Sequence, residues 1–343
     1  MSAVVDRAQS VADDALFPVA QDVDRGLRPL DDGLGALADA GLFGIAGPET
    51  HGGADLGAAT ARRTIAAVGS GCGATFFVWV QHHGVVRTLR SSPNGALVGE
   101  LLAPMCAGDV IAGVAFAHLR RPGPPAIRAE RHGEDGWRLD GLAPWATSWG
   151  IADWFAVAAA SDDGEVVWVR VPGHEVPGLT ARPLALPVFA HTGTVSLALD
   201  SFVADDAEVL AVVDLDEWRR NDRSRAAPGQ PAVLGVADRA IRLLEAQVDT
   251  ESIDTAGRLR ERLEQCWRID DQVVAAPDSI EEASAHRAAC LDLARRATTA
   301  LLAASGGGGM DLAHPAQRLA READFYVIQA QTADGRSATL RSI

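Results

Sequence analysis

A chain of 343 residues, 48% of them apolar, is too long for one ordinary core and points to two or three packed modules. Its formal net charge of -15, with all 31 basic residues being arginine, excludes a basic nucleic-acid-binding face. The absence of lysine also excludes Schiff-base chemistry and a Walker-type phosphate loop, while leaving arginine free to hold an anionic ligand.

The N-terminus carries Asp6, Asp13 and Asp14 where a secretory signal would need a basic head and an apolar run. No apolar run reaches the roughly 18 residues of a membrane span. The expectation is a soluble, cytoplasmic protein with no membrane partner. Val4, Val5, Ala8, Val11, Ala12, Ala15 and Leu16 recur at helical spacing, so the chain opens on a helix. A second short helix is expected over residues 34–42. Residues 48–56 form a breaker-rich loop with Gly52 and Gly53. Residues 56–90 are helical and strongly apolar, interrupted at Gly69-Ser-Gly71-Cys-Gly73. Another helix covers residues 97–107 and is closed by Gly108. Cys72, Cys106, Cys266 and Cys290 are scattered through the whole chain, so neither a disulfide framework nor a metal site is expected.

From residue 109 to about 204 the pattern becomes that of short strands. Residues 110–116, 127–131, 137–139, 155–159, 166–170 and 194–203 are apolar or alternating, separated by turns such as Gly133-Glu-Asp-Gly136 and Ser161-Asp-Asp-Gly-Glu165. Asp140-Gly141 reads as a tight hairpin turn. These segments predict a small antiparallel barrel or sandwich. Within it, Trp145-Ala-Thr147-Ser148 sets a large aromatic beside two hydroxyls at a strand end, a pattern suited to a planar heteroaromatic ligand. A tryptophan in a β core beside a polar turn gives the same pattern. From residue 214 the helical period returns, with helices expected over 234–248, 256–274, 280–305 and 315–330 in an antiparallel four-helix bundle. Acids at Asp278, Glu281 and Glu282 suit a helix start, and Gly306 to Gly309 end a helix.

The order is an N-terminal all-α domain (1–108), a middle β domain (109–212) and a C-terminal bundle (213–343). With this α+β layout the chain resembles the acyl-CoA dehydrogenase superfamily almost end to end. Ala40-Gly-Leu-Phe-Gly-Ile45 with Pro48, Glu49, Gly52 and Gly53 resembles its early signature. Trp137, Leu139, Asp140, Gly141, Trp145, Thr147, Ser148, Ala152 and Asp153 resemble its middle motif. Gly306, Gly307, Pro315, Arg318 and Arg321 resemble its late motif.

The resemblance implies an oligomeric FAD enzyme. A carboxylate takes the α-proton of an acyl-CoA or another acyl thioester, and the β-hydride passes to the flavin. Residue by residue, it implies flavin contacts at Phe116, Trp145, Thr147, Ser148, Gly306 and Gly307. It also shows departures. The usual base position falls on Ala330, and the alternative position at the first bundle helix falls on Arg225, so the catalytic residue is unknown. Asp222 and Asp334 lie near these positions but out of register. The flavin loop position, residues 115–122, lacks the family's acid and serine and holds Arg120 and Arg121, a pair suited to a phosphate or carboxylate and equally to solvent. The bundle's usual diphosphate-binding motif has no match between Leu243 and Glu264.

Two alternatives follow. His82 and His83, in the apolar run Phe76-Phe-Val-Trp-Val-Gln-His82-His83-Gly84, resemble a histidine-bearing helix of flavin monooxygenases on this fold, although the late histidine of that group falls on Gln329. Equally, the missing base fits a non-catalytic subunit that joins a paralogous subunit in a heteromeric acyl-CoA dehydrogenase. The remaining polar and aromatic candidates, Glu49, His51, Trp149 and Trp154, read as loop polarity and β packing.

Overall fold

The computed structural model describes residues 2–121, 123–134, 136–275 and 279–343. Asp278, Pro122 and Asp135, which belong to the helix start, arginine loop and turn expected above, lie outside these residues. In chain order the helices begin with α1 (Ala3–Val11), a π-turn over Ala12–Leu16 and α2 (Ala20–Asp24). They continue with α3 (Asp31–Asp39), α4 (Ala58–Gly69), α5 (Gly73–Arg90) and α6 (Gly95–Ala107). Eight strands follow: β1 (Ala112–Ala115), β2 (Ile127–Arg131), β3 (Gly136–Ala146), β4 (Trp154–Ser161), β5 (Glu165–Pro172), β6 (Leu179–Pro183), β7 (Val195–Asp205) and β8 (Val209–Asp214). The chain then runs through α7 (Leu215–Ala226), α8 (Ala232–Glu245), α9 (Thr250–Ala275), α10 (Ile280–Ser305), α11 (Pro315–Phe325) and α12 (Ala333–Arg341).

The chain divides into two compact units. One comprises Met1–Pro29, Gly57–Phe76 and Asn221–Ile343; the other comprises Leu30–Leu56 and Phe77–Arg220. The first is helical. Its helices α4 and α8 touch through small residues: a Cβ on Gly69 would stand 2.7 Å from the Cβ of Ala232, and one on Gly235 would stand 2.0 Å from the carbonyl oxygen of Ala66. No side chain fits between these backbones. The break in the 56–90 segment falls between α4 and α5, as the glycines require. Helix α10 starts at a Ser279 cap, whose hydroxyl accepts from the amide of Glu282, and stops where Gly306 turns to φ 57.

The second unit is built on one eight-stranded sheet with path order β6-β7-β3-β2-β4-β5-β8, and β1 alongside β4. Two expectations need correction. The sheet is mixed rather than purely antiparallel, because β1 and β2 both pair with β4 in parallel. Asp140-Gly141 is not a hairpin turn: β3 runs through it, paired with β7 on one side and β2 on the other, and the irregularity is absorbed as a bulge at Gly141 with φ 137. A Cβ there would meet the carbonyl oxygen of Ala126 at 2.0 Å. Strands β2 and β3 instead form the hairpin: Arg131 pairs with Trp137, and the His132 amide donates to the Gly136 carbonyl.

Strand β4 is buried along its whole length, which explains its unbroken apolar run. Phe155, Val157 and Ala159 face a core shared with β2, β3, β5, β6 and β7, so the sheet curls around its own interior. Trp154, Ala156, Ala158 and Ala160 face the opposite way, against Val85, Val86 and Leu89 of α5 and Leu97, Leu101 and Leu102 of α6. Helix α6 is fixed at both ends. The Asn94 side chain accepts from the amide of Leu97, and Gly108 takes the left-handed position at φ 90 against Phe43 and Ala38.

Candidate functional site

In the sheet unit, β3 ends at Ala146 and delivers Thr147 and Ser148 into the interior, where both are buried. A chain of hydroxyls forms there. Thr147 Oγ1 and Thr194 Oγ1 lie 3.0 Å apart, Thr194 and Thr192 lie 2.9 Å apart, and the Thr192 hydroxyl donates to the Phe189 carbonyl at 2.8 Å. Ser148 adopts φ 85, and its backbone is fully engaged: its amide donates to Thr192, and its carbonyl accepts from Ile151 and Ala152. Its Oγ is buried with no hydrogen-bond partner. A buried hydroxyl without a partner costs about 1–3 kcal/mol, so this atom fits a ligand acceptor or donor. Trp145 is half-buried beside this turn in sequence. The hydroxyl pattern therefore suits the polar edge of a heteroaromatic ring. Trp149 packs on Phe155 with centroids 5.7 Å apart, and Trp154 is buried, both as parts of the β core.

The segment after β1 is a short 3-10 turn, Ala117–Arg120. Phe116 lies half-buried among Trp168, Trp218 and Arg120, with ring centroids 5.8 and 6.0 Å away and the guanidinium carbon 4.9 Å away. His118 is buried, and its Nε2 lies 2.8 Å from the Ala158 carbonyl, to which it donates; burial holds its pKa at about 4. This turn presents aromatic and basic groups rather than an acid and a serine.

The two candidate histidines on α5 differ. His82 Nε2–H donates to the Met105 carbonyl at 3.0 Å, and its Nδ1 accepts from the Ala112 amide at 3.2 Å. Both nitrogens are occupied, and burial lowers its pKa to about 4, so His82 ties α5 to α6 and β1. His83 is buried with neither nitrogen bonded, edge-on to Trp79 at 4.3 Å. Burial, then His82 and Arg87, hold it well below the usual histidine range, so it is neutral.

In the helical unit, the expected helix 315–330 stops at Phe325. Ala330 follows in a turn at φ 50. Arg287 of α10 grips this turn, donating to the carbonyls of Ala330 at 2.9 Å and Gln329 at 2.6 Å. The same guanidinium reaches the Ala226 carbonyl at 3.4 Å, next to Arg225. The segments around Ala330 and Arg225 are thus joined by one arginine, a feature that sequence reading missed. Arg225 itself is exposed and donates to the Asn221 carbonyl. Asp334 receives Arg223 through two bonds of 2.6 and 2.8 Å, and the arginine holds its pKa down, so it is a salt-bridged anion rather than a base. Gly306 and Gly307 lie on an exposed 3-10 turn with open space at both Cα atoms. Buried nearby on α11, Arg318 donates to Glu322 at 2.6 Å, while Glu322 Oε2 and Tyr326 OH have no partner. Among the described residues no group of three or more His, Cys, Asp or Glu is arranged to hold a metal ion, and no helix is long and apolar enough to cross a membrane.

Residues 2–109 match the acyl-CoA dehydrogenase N-terminal domain. No curated protein matches the chain. Among solved structures, butyryl-CoA dehydrogenase from Megasphaera elsdenii superimposes with a TM-score of 0.82 at 15% identity, over 100% of this chain and 98% of that one. A glutaryl-CoA dehydrogenase in complex with glutaryl-CoA gives 0.84 at 16% identity, covering 99% and 94% of the two chains. Glutaryl-CoA dehydrogenase from Mycobacterium smegmatis, in complex with FADH2, gives 0.82 at 17% identity over 99% and 93%.

Proposed function

We propose, from the family match of residues 2–109 and the shared fold, that the chain is an acyl-CoA dehydrogenase superfamily flavoprotein that holds FAD and engages an acyl thioester, without a base of its own at the usual positions. The observation that carries the flavin part is the partnerless, buried Ser148 Oγ beside the Thr147–Thr194 hydroxyl pair. Ser148 and Thr147 would meet the flavin edge, with Trp145 and Phe116 supplying aromatic surface. In the helical unit, Gly306 and Gly307 stand on an exposed turn with open space at their Cα atoms, which leaves room for an anionic group. The chemistry that FAD supplies when bound is acceptance of a hydride. The chain's own residues bind, orient and exclude water.

Removal of an α-proton needs a carboxylate within hydrogen-bond reach of the proton. Ala330 has none, Arg225 has the opposite charge, and Asp334 is neutralised by Arg223. With no carboxylate at Ala330 or Arg225, and Arg287 fixing the Ala330 and Ala226 segments together, a second reading is a non-catalytic subunit working with a paralogous, base-carrying subunit.

The test is the visible spectrum of the purified protein after excess FAD and desalting. A retained flavin band supports the flavoprotein reading; no retained flavin overturns it. If flavin is retained, bleaching by acyl-CoA with the chain alone overturns the base-less reading. Bleaching only in the presence of a co-purified paralogue supports the subunit role.

A further inference from the structure

A cluster in the helical unit brings two thiols together with a histidine. Asp270 of α9 and His286 of α10 bond across the helix pair, His286 Nε2 donating to Asp270 Oδ1 at 3.1 Å. Arg62 clamps the same carboxylate with bonds of 2.8 and 2.6 Å and anchors itself on the Gly229 carbonyl at 3.1 Å. Cys266 precedes Asp270 by four residues and Cys290 follows His286 by four. In an antiparallel pair, the crossing that joins Asp270 to His286 therefore sets Cys266 opposite Cys290 one turn away. Both thiols are free and buried. Cys290 Sγ lies 3.5 Å from His286 Nε2 and 3.7 Å from Nδ1. Cys290 also lines a narrow cleft with Gly229, Val233, Arg287 and Tyr326.

From this geometry we infer that Cys266 and Cys290 are a peroxide-reactive dithiol, with hydrogen peroxide as the oxidising substrate and an intramolecular disulfide as the product. The Cys266 sulfur attacks one peroxide oxygen. An S–O bond forms, the O–O bond breaks, and the second oxygen leaves as water after taking the thiol proton. His286, with Nε2–H committed to Asp270, takes the Cys290 proton at Nδ1. The Cys290 sulfur then attacks Cys266: the S–S bond forms, the S–O bond breaks, and the hydroxyl leaves as a second water with the proton from His286. Two thiols lose two electrons and two protons to one peroxide, giving a disulfide and two waters. Arg62 and Asp270 position the ring. The Cys290 side chain, followed by nearby Arg262 against the effect of burial, pulls the Cys266 thiol down, which favours it as the first attacker. Cys72 and Cys106 are buried thiols raised by burial and serve as internal controls.

The test uses the folded full-length chain treated with hydrogen peroxide, alkylated, and read by intact mass and peptide mapping. The expected result is a mass lower by two hydrogens, a cross-linked Cys266–Cys290 peptide, and Cys72 and Cys106 still reduced. Cys290→Ser is expected to stop at a Cys266 sulfenic acid, trapped by a dimedone reagent. His286→Gln is expected to slow disulfide closure by a factor on the order of 100. Four persisting thiols in the treated wild-type chain overturn the inference, as does a cross-link through Cys72 or Cys106. The wild-type result stands whether or not either variant folds.

Discussion

The guanidinium of Arg287 holds the carbonyl of Ala330 at 2.9 Å while Ala330 sits at φ 50, so an L-residue is kept in the left-handed region by a long-range bond. That conformation costs an alanine about 1–2 kcal/mol relative to a right-handed one. Glycine removes the cost but adds freedom to the unfolded chain. Ala330→Gly is therefore expected to stabilise the protein by about 0.5–1 kcal/mol. Arg287→Met, which leaves the carbonyls of Gln329 and Ala330 without their donor, is expected to destabilise it by about 2–3 kcal/mol. Denaturant midpoints of the two variants check both signs, and a midpoint lowered by Ala330→Gly would contradict the strain.

Ser148→Ala separates folding from ligand binding. The hydroxyl makes no bond within the chain, so its loss is expected to leave the thermal midpoint of the flavin-free protein unchanged or slightly raised. If the hydroxyl meets the flavin, FAD affinity is expected to fall by about tenfold, matching a hydrogen bond of roughly 1.4 kcal/mol. Titration of the apoprotein followed by flavin fluorescence reads the second effect. Equal affinities in wild type and variant would remove Ser148 from the cofactor site.

His82 and His118 give the sheet unit a defined acid response. Both are held at about 4 by burial, against an ordinary value near 6.5. In the unfolded chain they take up protons as pH falls below about 6.5; in the folded chain they do so only near 4. Their stabilising contribution is thus complete above pH 6.5 and is lost progressively as pH falls to about 4. The loss amounts to about 3 kcal/mol for each. Urea unfolding at a series of pH values across this range checks the slope. His118→Gln, which keeps a donor for the Ala158 carbonyl, is expected to flatten it by about half.

Asp270 acts in the opposite direction and at lower pH. Burial pushes its carboxyl up, but hydrogen bonds from His286 and Arg62 outweigh this and hold it at about 2. Its contribution is present above about pH 4 and is lost as pH falls through 2, about 2 kcal/mol in all. Asp270→Asn is expected to lose that part of the acid transition. At neutral pH it is expected to cost about 3 kcal/mol or more, because Arg62 is left without its counter-charge. Acid titration followed by circular dichroism, with neutral-pH denaturation, reads both effects.

Much of the fold was legible because it is set locally. Gly108 stops α6, the glycines at 69–73 separate α4 from α5, and Gly306 ends α10, each through a backbone preference that acts where the residue stands. Asp140-Gly141 misled because its turn preference competes with pairing on both sides of β3, and the ladders to β2 and β7 win. Strands β6 and β8 were missed: β6 is short, ends in Pro183 and lies at one end of the sheet path, and β8 lies at the other. Helix α12 escaped for lack of a strong apolar stripe. Thr147, Ser148, Ala330 and Arg225 were singled out by motif position. The bonds that give them meaning, from Arg287 to residues 226, 329 and 330, and the match of Asp270 with His286, join distant segments and leave no local trace.

The helical unit is assembled from three separated stretches, and this sets the order in which it can be completed. Helices α1 and α4 leave the ribosome long before α8 exists, so the Gly69 and Ala66 surfaces that seat Ala232 and Gly235 must wait for a partner about 165 residues downstream. The sheet unit, by contrast, closes once residue 220 has emerged. A nascent chain paused between these points therefore carries one finished module and two orphaned apolar helices, the interval in which a chaperone has most to protect.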